Sequence, residues 1–166
     1  EATGYNPDDS ATDRGTDLQA AASNRRRVGV LHADGQRHRI GGYAALTQGD
    51  PDELAAATYI FGSAGVGLRI PAYALDDCAA GESWEVRLGV PEIVGGHYAP
   101  VVGRTATGNF LVVSWGQLHE MTPAFYRRYC DEALVYLSEE FMTAPHKPSG
   151  FDRAQLFIDL QRFTRR

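Results

Sequence analysis

The spacing of apolar residues predicts helices and strands that are interspersed along the first half of the chain. Short apolar runs that follow capping residues predict helices at about 17–27 and 51–61. Clusters of β-branched and aliphatic residues predict strands at about 28–32, 37–45 and 66–70. An Asp-Gly pair separates the first two strands and is typical of a tight hairpin turn. The first half of the chain therefore contains both types of element.

The second half is predicted to contain a hairpin followed by a helix. Residues 95–104 and 109–115 are rich in β-favouring residues and enclose a turn at 105–108, which predicts an antiparallel pair of strands. Thr122 and Pro123 suit the N-cap and the first turn of a helix. Four residues at helical spacing would form one face of this helix, namely Phe125, Tyr129, Ala133 and Tyr136.

The end of the chain is predicted to form a tail outside the main domain. Residues 134–141 include a further short strand, and a proline-containing linker then leads to an amphipathic helix at about 151–163. We therefore divide the chain into a domain at 1–143 and a tail at 144–166. The wide apolar stripe of the tail helix predicts a contact, either with a protein partner or with the chain's own domain.

Composition limits the range of functions. The 166 residues are 43% hydrophobic, which is enough for one domain with a packed core. The formal net charge of −5 argues against a nucleic-acid binder that relies on overall charge. No apolar run approaches the length of about 18 residues that a membrane span requires. We expect a soluble protein that binds neither nucleic acid nor membrane, and the sequence does not define its compartment.

Cysteine and histidine spacing predicts no metal site and no cofactor. His32 and His38 flank the Asp-Gly turn and are expected to approach each other, but two ligands do not define a metal site. Cys78 lies in a segment, 76–95, that we expect to be irregular. Cys130 falls within the predicted helix. We expect both cysteines to be ordinary thiols, because neither stands at a helix N-terminus.

Two motifs on the predicted hairpin together resemble the papain-like cysteine peptidases. Gly95-Gly96-His97 opens one strand, and Ser114-Trp115-Gly116 closes the partner strand. The resemblance implies a papain-like α+β fold, in which an antiparallel sheet or half-barrel carries the histidine hairpin and helices flank the sheet, followed here by a C-terminal helix.

This resemblance covers about residues 1–141. It is closest to papain-like proteins of unassigned role from bacteria and their phages. In those proteins the stretches Gly-Tyr-Asn-Pro and Thr-Asp-Arg-Gly recur, and they stand here at 4–7 and 12–15. The tail lies outside the papain pattern.

The resemblance also implies roles for individual residues. His97 would be the base that takes the proton of a cysteine thiol, and then the acid. Trp115 would shield the hydrogen bond that orients His97, with Ser114 in support, and Gly96 would leave room for the substrate backbone. A peptide or another amide is the implied substrate.

The chain departs from the family pattern where the histidine would be oriented. The family asparagine would fall at Val113, whose side chain cannot orient an imidazole. Ser114 is the available substitute, but we do not favour it, since adjacent residues of a strand face opposite sides.

A second departure concerns the nucleophile. In the family the nucleophilic cysteine stands at the start of a helix, N-terminal to every motif quoted above. This chain begins at Glu1, and neither Cys78 nor Cys130 matches the family position. The resemblance therefore implies a nucleophilic cysteine upstream of residue 1.

Three functions follow as hypotheses. The first is the histidine-bearing portion of a cysteine peptidase or related amide hydrolase. The second is a catalytically inactive papain-like module with a structural or interaction role, for example in a phage particle or a secreted assembly. The third, which we favour least, is a small-ligand binding domain that uses the cleft beside His97.

Three consecutive arginines, Arg25 to Arg27, end the first predicted helix. Cations in the last turn complement the helix dipole, so a solvated helix end explains them. A contact with phosphate or with a partner is the alternative.

Overall fold

The structure is a computed structural model that describes residues 3–138 and residue 155. The predicted linker at 144–149, the predicted tail helix at 151–163 and the domain boundary after residue 143 lie outside the described residues. Within the described part, a 3-10 turn at Ser10–Thr12 precedes four α-helices and eight strands. The helices are α1 (Leu18–Arg27), α2 (Pro51–Phe61), α3 (Tyr73–Ala80) and α4 (Pro123–Tyr129). The strands are β1 (Val30–Leu31), β2 (Arg37–His38), β3 (Ile40–Ala45), β4 (Ala64–Pro71), β5 (Ile93–Arg104), β6 (Phe110–Ser114), β7 (Gln117–Met121) and β8 (Cys130–Ser138).

Six of these strands form one antiparallel sheet in the order β3-β8-β4-β5-β6-β7. Strands β1 and β2 pair only with each other. The main core lies on one face of the sheet, where α2, α3 and α4 supply side chains such as Leu54, Ala74 and Phe125. A smaller cluster on the opposite face consists of Leu18 and Ala22 of α1 against Leu134, with tyrosines beside it. The chain therefore has the expected α+β architecture.

Side-chain caps explain where the first two helices begin. Asp17 accepts a hydrogen bond from the backbone N–H of Ala20 at the start of α1. Asp50 accepts from two backbone N–H groups at the start of α2, and Pro51 occupies the first turn. Gly62 ends α2 with a φ of 81°, in the left-handed region that favours glycine. These helix boundaries agree with the predicted ones.

The predicted helix after Thr122 is shorter than its periodicity suggested. Thr122 caps α4 as expected, but α4 ends at Tyr129, and Cys130 begins a strand. Ala133 and Tyr136 are therefore on β8 and not on the helix face to which we assigned them. The reason is tertiary: β8 pairs with both β3 and β4, so its apolar residues are buried inside the sheet.

Two further elements were not predicted. Residues 76–95 are not wholly irregular, because α3 extends to Ala80 and includes Cys78. The strand predicted at 109–115 ends at Ser114, and the chain then turns back at once into β7. Sequence periodicity did not predict β7, because its two apolar residues, Leu118 and Met121, are separated by polar residues.

A glycine on β4 makes room for a tyrosine of the neighbouring strand. Gly65 lies on the same face of the sheet as Tyr98, and a Cβ at Gly65 would come within 2.7 Å of the Tyr98 ring carbon Cε2. Gly96, by contrast, has open space where its Cβ would lie, within the part of the chain that the structure describes.

We expect Gly65→Ala to destabilise the domain by about 1–3 kcal/mol, because the added methyl group overlaps the Tyr98 ring and the tyrosine must give up its packing on β4. Urea unfolding followed by circular dichroism measures the change. Gly96→Ala is the matched control and should stay within about 1 kcal/mol of the parent. Equal stability of the two variants would show that Tyr98 is not packed on Gly65.

Candidate active site

His97 stands on β5, next to the central strand β4. It lies opposite Leu68 in the register, and its strand neighbours Ala99 and Val101 on the same face are fully buried. The histidine itself is half-buried, since it lies at the end of this buried row. The strand thus presents an imidazole at the border between the core and the solvent.

Ser114 faces His97 from the end of β6. Val101 of β5 pairs with Val112 of β6, and residues directly opposite each other share a face of the sheet. Alternation along β6 then places Ser114 on the face of His97, and its Oγ lies 2.8 Å from His97 Nε2. Ser114 is 3% exposed, whereas Val113 is 40% exposed on the other face. We were wrong to disfavour Ser114: alternation is the reason that Ser114, and not residue 113, reaches the imidazole.

Trp115 reaches the same imidazole through an unusual turn. Trp115 and Gly116 form the two-residue connection between β6 and β7, and both have positive φ, 44° and 79°. Two positive φ angles are typical of the type I′ hairpin turn. The turn brings the indole of Trp115 over His97, with the ring centroids 4.3 Å apart and the planes 19° from parallel. One side of the imidazole is therefore covered.

Trp84 packs against the rings of both His97 and Trp115. Sequence analysis did not identify it as part of the site. Its fully buried indole meets His97 and Trp115 edge-on, at centroid distances of 6.3 Å and 6.0 Å. The indole N–H donates to the carbonyl of Ala74, and the backbone of Trp84 is hydrogen-bonded to Glu120. The signal available in the sequence was a large aromatic residue inside a segment rich in polar residues.

A groove of about 1150 Å³ begins beside His97. Its lining also includes Gly95, Gly96 and Tyr98 of β5, several residues of α1, and charged residues such as Arg25 and Glu132. Because Gly96 has no side chain, the backbone next to the imidazole is open to the groove. The groove is thus large enough to admit several residues of another polypeptide segment.

Burial lowers the pKa of His97 below the ordinary value of 6.5. The pKa of His119, which packs against Trp84, is also lowered by burial, although the negative charges of Asp77 and Glu120 oppose that shift. Both imidazoles are therefore mainly neutral at pH 7. A neutral imidazole is the form that accepts a proton.

Neither cysteine has the exposure or the lowered pKa of a catalytic nucleophile. Cys78 on α3 is 3% exposed, and Cys130 at the start of β8 is 2% exposed. Burial raises the pKa of both thiols above the ordinary value, although a hydrogen bond from Gln117 opposes the shift at Cys78, and one from Gly49 opposes it at Cys130. Neither thiol forms a disulfide bond. Two buried thiols of raised pKa are poor nucleophiles.

His32 and His38 approach each other across β1 and β2, with their ring centroids 5.3 Å apart. Within residues 3–138 and residue 155, no three or more His, Cys, Asp or Glu side chains are grouped so that they could hold a metal ion. The described residues also contain no helix of sufficient length and apolarity to cross a membrane.

Two solved structures are similar to this chain in fold. Xylellain, a cysteine protease from Xylella fastidiosa, superimposes with a TM-score of 0.57 over 76% of this chain, at 14% sequence identity. The Amb a 11 cysteine protease, a major ragweed pollen allergen, superimposes in its proform with a TM-score of 0.55 over 83% of this chain, at 11% identity. These likenesses establish that the chain has the fold of papain-like cysteine proteases.

The likeness covers only part of each protease. The chain spans 63% of the length of xylellain and 51% of the length of Amb a 11. No protein-family profile and no curated protein sequence matches this chain.

We expect the free energy of unfolding to fall as the pH is lowered below 6.5, because the folded state holds His97 and His119 in their neutral forms. The pKa of each is lower in the folded chain, so the unfolded chain binds protons first between 6.5 and the folded pKa values. The contribution of the two neutral histidines to the free energy of unfolding is fully present above pH 6.5. It is lost as the pH falls from 6.5 to the folded pKa values. Urea titrations at several pH values measure it.

Substitution of single histidines shows which residue causes this pH dependence of the free energy of unfolding. His97→Gln should reduce the pH dependence between about pH 7 and 5. His38→Gln replaces an exposed histidine outside the site and is the matched control for the substitution. A free energy of unfolding that rises on acidification would contradict the assignment.

Proposed function

We propose that this chain is the histidine-bearing portion of a cysteine peptidase or related amide hydrolase, in which His97 is the general base and then the general acid. The observation that carries the proposal is the contact of 2.8 Å between Ser114 Oγ and His97 Nε2, on a hairpin whose turn stacks Trp115 on the same imidazole. An imidazole that is oriented, neutral and shielded on one side is what a cysteine nucleophile requires of its base.

The contact with Ser114 gives the two nitrogens of the His97 imidazole different roles in this proposal. If the serine hydroxyl accepts a hydrogen bond from Nε2–H, the lone pair of the neutral ring is on Nδ1. Nδ1 then takes the proton of the thiol, and the thiolate attacks the carbonyl carbon of the amide. The imidazolium returns this proton to the leaving amine, and water hydrolyses the resulting thioester.

Trp115 and Trp84 keep this arrangement in place. Trp115 covers one face of the imidazole, and the buried Trp84 packs edge-on against Trp115 and His97. Shielding from water strengthens the contact between Nε2 and the serine hydroxyl, because hydrogen bonds gain strength in surroundings of low dielectric constant.

The nucleophile must come from a polypeptide segment other than these 166 residues. The chain contains two cysteines, and both are buried with raised pKa values. The groove beside His97 offers space for such a segment, and Gly96 keeps the approach open. The segment would supply the thiol and the donors that stabilise the oxyanion.

The inactive module remains the second candidate, and one observation favours it: neither of the chain's own thiols can serve His97. The two candidates differ in a measurable way. An active enzyme turns over amide substrates and loses activity with His97, whereas an inactive module does neither.

We expect His97→Ala to reduce amide cleavage by at least about a hundredfold in the protein that includes the nucleophile segment, because general acid–base catalysis is lost. Cleavage of a fluorogenic peptide library measures the change, after circular dichroism has established that the variant is folded. His38→Ala is the matched control and should retain the parent rate. Undiminished turnover in His97→Ala would exclude His97 as the base, and no turnover in the parent would favour the inactive module.

Ser114→Ala tests the orienting contact separately. We expect kcat to fall by about tenfold or more with little change in KM, since the hydroxyl acts on His97 and not on the substrate. Nitrogen NMR of the imidazole should show mainly the Nε2–H tautomer in the parent and a mixture in Ser114→Ala. Ser114→Thr keeps the hydroxyl and should restore the tautomer. A parent ring protonated on Nδ1 would refute the assignment of tasks.

A further inference from the structure

An exposed cluster of arginines lies at the end of α1 and around the β1–β2 hairpin, and Arg25 of this cluster also lines the groove beside His97. Five arginines belong to it, namely Arg25, Arg26, Arg27, Arg37 and Arg39, and all five are exposed. We call this cluster the arginine surface. Residues 25–39 contain one acidic residue, Asp34, so the segment carries a formal net charge of +4 while the rest of the chain carries −9. This asymmetry is large for a single small domain.

The fold gathers these arginines around one glycine. Helix α1 ends at Arg27, two residues before Gly29. Arg37 donates a hydrogen bond of 3.2 Å to the carbonyl of Gly29, and a Cβ at Gly29 would lie 2.9 Å from Cγ of Arg39. The close approach is possible because Gly29 has no side chain and a φ of 81°. The hairpin thus adds two arginines to those of the helix end.

The helix dipole does not account for the whole cluster. Arg37 and Arg39 are not on α1, so they do not belong to its last turn. None of the five arginines forms an ion pair with a carboxylate in the part of the chain that the structure describes, and Asp34 is paired with His32. Arginine guanidinium groups bind carboxylates or phosphates in bidentate geometry.

The hairpin also exposes apolar side chains between these cations. Val30 and Leu31 of β1 are 54% and 60% exposed, and Leu31 lies opposite Arg37 in the register. Because β1 and β2 pair only with each other, both outer edges of this small sheet lack a neighbouring strand within the described residues. A two-stranded sheet is only marginally stable alone, and an added strand would stabilise it.

We infer that the arginine surface binds an acidic, extended segment of a partner protein, which adds as a strand to the β1–β2 hairpin. The carboxylates of the segment would lie on the face of Arg37 and pair with the arginines, and its apolar residues would cover Val30 on the opposite face. Arginine together with aliphatic side chains is the composition of a protein interface. A long polyanion such as nucleic acid is disfavoured, because the remaining charge of −9 repels it. An anionic membrane is disfavoured by Asp34 at the hairpin tip.

A labelled peptide of alternating Glu and Val residues tests this binding by fluorescence anisotropy. The chain should bind it, and the affinity should fall as NaCl is raised from about 50 to about 200 mM. A peptide of alternating Gln and Val residues should bind at least about tenfold more weakly, because it lacks the carboxylates. No binding of the Glu-Val peptide, or equal binding of both peptides, would overturn the inference.

A charge exchange locates the site. Arg26→Glu combined with Arg39→Glu should lose affinity for the Glu-Val peptide by at least about tenfold and gain affinity for a Lys-Val peptide. Arg104→Glu combined with Arg127→Glu makes the same change of charge at exposed positions elsewhere and should retain the Glu-Val affinity. Equal losses in both double variants would show a general charge effect and refute the site.

Two competitors identify the class of partner. A single-stranded oligonucleotide and vesicles that contain phosphatidylserine are each titrated against the bound Glu-Val peptide. We expect neither to compete at equal concentration of negative charge. Displacement by the oligonucleotide would assign the surface to nucleic acid, displacement by vesicles would assign it to membranes, and either result would overturn the protein partner.

Discussion

The candidate site depends on the pairing of β5 with β4 on one side and with β6 on the other. The first pairing fixes His97 opposite Leu68, and the second brings the end of β6 to the same face of the sheet. Since side chains alternate along a strand, a shift of one residue in either register would turn His97 or Ser114 to the opposite face. The hydrogen bond between them exists only because both registers are kept, and buried residues on that face hold them in place.

The aromatic cluster depends on the same registers and on one strained residue. Trp115 adopts a positive φ, which costs free energy in a residue other than glycine. Its stacking on His97 and its edge contact with Trp84 compensate for that cost. The turn joins β6 to β7. The backbone N–H of Trp84 donates to the carbonyl of Glu120 on β7, and the N–H of Thr122, directly after β7, donates to the carbonyl of Trp84. The imidazole is therefore held by a hydrogen bond, a stacked ring and a buried ring that belong to one connected part of the fold.

Two surfaces of the domain differ in chemistry and adjoin each other. The groove beside His97 is lined by Gly95 and Gly96 near the imidazole and also by Arg25, which belongs to the arginine surface on α1 and the β1–β2 hairpin.

The sequence by itself determined the features that arise from local interactions. Caps such as Asp17 and Asp50, a glycine stop at Gly62 and the β-favouring runs at β4, β5 and β6 are legible because neighbouring residues produce them. The motifs around His97 and Trp115 pointed to the fold that the likeness to solved cysteine proteases established.

The tertiary structure alone decided the rest. It ended the helix at Tyr129 and began the strand at Cys130, upstream of the strand predicted within 134–141, because pairing with two neighbouring strands outweighs the helical spacing of Ala133 and Tyr136. It placed Ser114 at His97, recruited Trp84 and turned Trp115 back over the imidazole. These three outcomes depend on strand register and on backbone turns between residues far apart in the chain, and no local pattern encodes those distances.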